Sequence, residues 1–125
     1  MNPRLRLVVT ILGVIFTMQG VGWLLAPATA AESLGMPLLD GLGRSTQVGD
    51  FAAFFLTAGI TMLVGSRPGR ARVLLFPAAL IGGAAVTRTL AWLLQGADFA
   101  TVFIAVEVLT GAILYRAAGQ PGEGR

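Results

Sequence analysis

The 125-residue chain is 55% hydrophobic and only 12% charged, and its formal net charge of +3 comes from arginines set against aspartates and glutamates. One domain fits that length, and a water-facing surface would need more charge. With no cysteine, histidine or lysine, the chain has no disulfide, no thiolate or imidazole metal site, no Cys or His nucleophile and no Schiff base, and its scattered arginines lack the interleaved aromatics of a nucleic-acid surface.

The first apolar run extends from Leu5 to Ala26, close to the roughly 20 residues that cross a hydrocarbon core of about 30 Å. It predicts a membrane-spanning helix. Arg4 and Arg6 ahead of it and Ala28-Thr29-Ala30 behind it also fit a secretory signal peptide, which would leave three helices after cleavage. The run exceeds the usual h-region of about 7–15 residues and carries Gln19, so a retained helix is expected. Gly13 and Gly20 mark a close helix contact, and Trp23, like Trp92 further on, an interfacial anchor or, alternatively, a wall of a pocket mouth.

From Ala28 to Leu39 the chain carries Leu34, Met36, Leu38 and Leu39 between Pro27 and Asp40, the pattern of a short segment lying on the outer interface. Gly41 and Gly43 follow it, and then Arg44. The second span runs from Thr46 to Gly65 and contains Gln47 and Asp50, with Gly49, Ala53, Thr57 and Thr61 as a small-residue stripe. That stripe is expected to turn inward beside Asp50.

Ser66 to Arg72, with Pro68 and Gly69, forms a turn before the third span, Val73 to Gln95. This span carries Gly82-Gly83, a close crossing or flexible point, then Arg88 and Trp92. Gly96, Ala97 and Asp98 turn the chain tightly into the last span, Ala100 to Arg116, with Glu107 inside it. Short connections make consecutive helices antiparallel neighbours.

Arginines in short flanks set orientation. Arg4, Arg6, Arg67, Arg70, Arg72, Arg116 and Arg125 fall on one side of four spans, opposite Glu32, Asp40, Arg44 and Asp98. The fold expected is an all-α, integral-membrane four-helix bundle over residues 1–125, antiparallel up-down, in the cytoplasmic membrane with both termini cytoplasmic.

Charges within a span cost about 2.5–3.5 kcal/mol each and normally face protein or water. Counting at 1.5 Å per residue puts Gln19, Asp50, Arg88 and Glu107 in one layer in the outer half of the membrane. Two readings stand: a structural network in which Arg88 neutralises Glu107 or Asp50, and a ligand pocket open to the outer side. Candidate pocket residues are Gln19, Trp23, Arg44, Gln47, Asp50, Arg88, Trp92 and Glu107. Two carboxylates against one arginine leave an acidic group in excess, a basis for proton coupling, cation binding or acid catalysis.

The residues Gly43-Arg44-Ser45-Thr46-Gln47-Val48-Gly49-Asp50-Phe51, with Arg88, Gly96 and Glu107, resemble small bacterial four-helix membrane proteins of a domain of unknown function grouped with the DoxX-like proteins. The resemblance implies a four-helix membrane bundle and no assigned activity.

A non-enzymatic or accessory membrane protein with an outward-facing polar pocket for a small amphipathic ligand is the expected function. A membrane enzyme using Asp50 and Glu107 on a lipid-like substrate, or a proton-coupled transporter subunit, stands as the alternative. No catalytic residue, metal or cofactor is assigned. The partners expected are the lipid bilayer, a small amphipathic ligand and, as an open alternative, a second copy of the chain; nucleic acid is not one.

Overall fold

The computed structural model describes residues 1–120, all of whose regular elements are helical. In chain order they are α1 (Pro3–Leu25), α2 (Pro27–Ser33), α3 (Gly41–Gly65), a 3-10 turn (Ala71–Leu74), α4 (Leu75–Gln95) and α5 (Thr101–Ala118). Four helices, with the 3-10 turn joined to α4, are long and apolar enough to cross a membrane. Arg125, expected on the arginine-rich side, lies outside the described residues.

Local chemistry sets the boundaries. Asn2 accepts from the Arg4 N–H at the start of α1, and Pro3 occupies the first helical turn, where its missing N–H is no loss. Pro27 breaks the helix: Ala26 leaves helical geometry at φ −142°, and α2 restarts from the proline itself. Gly96 ends α4 in a left-handed conformation, φ +64°, which a side chain would strain. α3 begins at Gly41, earlier than the expected Thr46, because Asp40 is extended (ψ 162°) and its carbonyl already accepts from the Arg44 N–H.

Within the spans, threonines return their hydroxyls to the preceding turn. Thr17 donates to the Gly13 carbonyl at 2.8 Å, Thr61 to Thr57 at 2.6 Å and Thr89 to Ala85 at 2.9 Å. No hydroxyl among these is left for the bilayer to strand.

Packing divides the helices into two close pairs, α1 with α3 and α4 with α5; contact between the pairs is sparser. Glycines make the first pair possible. A Cβ on Gly20 would sit 2.6 Å from Leu56, one on Gly13 2.9 Å from Leu63, and one on Gly59 would collide with Thr17. The expected contact through Gly13 and Gly20 is therefore present, and the register shows α1 and α3 running in opposite directions. In the second pair, a Cβ on Gly111 would lie 3.6 Å from the Gly82 backbone nitrogen, which resolves the Gly82-Gly83 feature as a close crossing at Gly82. Gly83 is exposed and has open space beside it.

Two apolar cores result. One, around Val9, Met62, Leu74, Ile81 and Leu114, joins all four long helices near the end that carries Arg4, Arg6, Arg67, Arg70, Arg72 and Arg116. At that end Asn2 donates to the Gln120 side chain at 3.0 Å. The other core gathers Trp23, Ala30, Ala31 and Ala52, with Leu34, Met36 and Leu38 packed on it. Those three were expected on a membrane interface; the structure folds them against α1 and α3 instead, leaving Leu39 exposed.

Candidate functional site

Between the two helix pairs lies a crevice of about 370 Å³, within the usual size range of small-molecule sites. Phe16 of α1, Phe51, Phe54 and Phe55 of α3, and Phe103 of α5 line it. Five of the chain's seven phenylalanines therefore converge on one space. Phe55 touches Phe16 at 5.6 Å between centroids and meets Phe54 edge-on at 5.2 Å, spacings at which ring quadrupoles attract. Leu34, just past α2, lies over one part, and Thr87, exposed on α4, and Val106, exposed on α5, border another.

The polar wall is the Arg88–Glu107 pair. Arg88 Nε donates to Glu107 Oε1 at 2.8 Å, and the two side chains are 33% and 15% exposed. The Gly96 turn brings α4 and α5 together as neighbours at matching depth, the basis on which the pair was expected. Its geometry is one-pronged: the two terminal nitrogens of Arg88 make no hydrogen bond to a described residue. Glu107 Oε2 is buried without a partner. The Arg88 guanidinium carbon lies 4.8 Å from the centre of the Phe103 ring, so the cation rests on an aromatic face that helps hold it inside the protein.

Of the other expected pocket residues, Asp50 is the clearest correction. It is exposed and makes no hydrogen bond or ion pair with a described residue. Asp50 stands two residues before buried Ala52, about 200° round the helix at 3.6 residues per turn, and so points away from the Trp23 core; it is not among the residues that line the crevice. Counting six residues on from the Gly20–Leu56 contact sets Asp50 level with Ala26, where α1 ends. The stripe of Gly49, Ala53 and Thr57 shares its outer face. Small residues lie on both sides of α3, and the packed set is Ala52, Ala58, Gly59, Met62 and Gly65.

Gln47 is buried but works on the chain itself. Its amide donates to the Pro37 carbonyl at 3.0 Å and its Oε1 accepts from the Leu39 N–H at 2.9 Å, which fixes the segment after α2. Arg44 does not reach inward; it binds the Leu39 carbonyl at 2.7 Å and Asp40 at 2.9 Å, in an exposed pair of small energetic weight. Gln19 donates to Ser33 at 3.2 Å, tying α1 to the end of α2 rather than joining the Arg88 network.

The tryptophans separate. Trp23 is fully buried and stacks on Phe51, so it backs the crevice wall from behind and is no interfacial anchor. Trp92 is half exposed, edge-on to Phe99 at 5.1 Å and outside the crevice. The expected cluster thus reduces to Arg88 and Glu107. The phenylalanines are the lining that counting polar residues missed. Phe51, Phe54 and Phe55 stand at i, i+3 and i+4, which is one helix face, and that spacing was the available signal.

Among the described residues no group of three or more acidic side chains could hold a metal ion. Comparison with known protein families, characterised proteins and solved structures finds no match.

Proposed function

We propose that the protein is a membrane-embedded, antiparallel four-helix bundle of the DoxX-like kind whose crevice binds a small amphipathic ligand. The carrying observation is the joining of five phenylalanines to one incompletely satisfied ion pair in a single cavity. Aromatic walls favour an apolar body, and a lone polar locus fixes which end of it goes where. A core built only for stability would close around such a pair, because a buried oxygen without a partner costs about 1–3 kcal/mol.

In this reading both termini are cytoplasmic and the crevice lies in the outer half of the bilayer, which the gathering of six arginines at one end of the helices supports. Exposed Thr87 and Val106 at its edge lie within spans, so a ligand arrives sideways from the lipid. Asp50 is exposed and outside the crevice lining, which favours the binding reading over an enzymatic one that pairs it with Glu107.

Native mass spectrometry of protein incubated with a total lipid extract tests the proposal. A discrete adduct on the parent, lost when Ala84→Phe fills the crevice, is expected. A clean apoprotein from every extract, or an adduct untouched by Ala84→Phe, overturns it.

A further inference from the structure

We infer that the crevice selects a ligand with an uncharged hydroxyl head, read by Glu107 Oε2 and the free end of Arg88 together. This deepens the ligand-binding reading and rests on it.

The ion pair leaves part of each partner unused. Glu107 Oε1 is taken by Arg88 Nε, while Oε2 is buried and has no donor. An ionised carboxylate oxygen only accepts, and guanidinium N–H groups only donate. The unused groups are therefore one acceptor, shut from solvent until the carboxylate turns, and a set of donors, on two residues that touch each other and both line the cavity. A head group that satisfies both must donate and accept at nearly the same point, and a hydroxyl does so with one oxygen.

Charge narrows the choice further. Arg88 and Glu107 neutralise each other, so the wall offers no net charge to a charged head. A carboxylate or phosphate approaching Arg88 meets Glu107 at hydrogen-bond range, and an ammonium approaching Glu107 meets Arg88. Either ion would also lose its hydration in a space walled by Phe51, Phe55 and Phe103. An ether or ester head escapes that penalty but cannot donate, and leaves Oε2 stranded as it is in the free protein. Sites built to hydrogen-bond a hydroxyl reject analogues without it far more strongly than apolar pockets reject a change of size.

The test holds the ligand body constant and varies the head. The probes are 6-phenylhexan-1-ol, its methyl ether and 6-phenylhexanoate, titrated into the parent and Glu107→Gln proteins in one detergent, with binding read by native mass spectrometry and by thermal shift. In the parent the alcohol should bind at least about tenfold more tightly than the ether, the consequence of one unpaired buried acceptor, and the acid should bind no better than the ether. In Glu107→Gln the amide oxygen keeps Arg88 and the amide nitrogen replaces the open acceptor with a donor, so the alcohol's advantage over the ether should vanish or reverse.

Equal binding of alcohol and ether to the parent overturns the hydroxyl inference while leaving the crevice a ligand site. So does an unchanged preference in Glu107→Gln. Binding of none of the three overturns the crevice reading along with it. The parent comparison needs no variant, so it decides the question even if Glu107→Gln fails to fold.

Discussion

The indole of Trp23 lies nearly parallel to the ring of Phe51, 12° between planes and 4.9 Å between centroids. Through this contact the end of α1 is locked to the third turn of α3 at the height where α2 and its following segment fold back. Trp23 is also among the largest fully buried side chains among the described residues. Trp23→Ala should therefore lower stability by about 3–5 kcal/mol, the usual cost of deleting a buried large aromatic. Trp23→Phe, which keeps a ring against Phe51, should cost much less. Thermal unfolding in detergent, followed by circular dichroism, checks both.

Arg88 and Glu107 should behave as one unit. Arg88→Leu strands a largely buried carboxylate and Glu107→Leu strands a cation on Phe103. Each should cost about 2–3 kcal/mol, less than a fully enclosed pair because a third of Arg88 is exposed. The double substitution should recover much of that loss, and strictly additive losses would show that the contact carries no coupling. Asp50→Leu serves as the comparison: with no partner to strand, it should shift stability by no more than about 0.5 kcal/mol.

Two glycines on long helices should respond in opposite ways. Gly59→Ala pushes a methyl into Thr17 and the Gly13 carbonyl, so α1 must move off α3, at a cost of about 1–3 kcal/mol or more. Gly83→Ala meets open space and should leave stability unchanged or raise it by up to about 1 kcal/mol, since alanine favours the helix. Denaturation midpoints of the two variants in the same micelle compare them directly.

Span length and turn chemistry carried most of what could be read from the chain alone. Four apolar stretches of bilayer length became four long helices, and the Gly96 turn was enough to pair Arg88 with Glu107. Depth was recoverable because rise per residue is fixed; azimuth was not. In a water-soluble helix the polar face announces which side is out, but in α3 both faces are apolar or small, since lipid and neighbouring helix are alike in polarity. Asp50 was therefore assigned a depth with no means of assigning a direction. Trp23 was misplaced for a related reason: a tryptophan near a span's end looks the same in the interface and in a core. The buried role of Gln47 depended on where Pro37 and Leu39 return in space, which local spacing does not encode.

The division into two tight pairs bears on how the molecule deforms. Glycines that seat Leu56, Leu63 and Thr17 directly against the facing backbone make α1 and α3 one stiff leaf, and the Gly82–Gly111 crossing does the same for α4 and α5. The leaves are bound along a spine at the Ser66–Arg70 turn, where Leu74 tucks against Gly65, and their free edges face each other across the phenylalanines. Compliance in such a body is concentrated at the fore-edge. A guest of larger girth is then accommodated by a small change in opening angle, with every helix and every contact inside each leaf left intact.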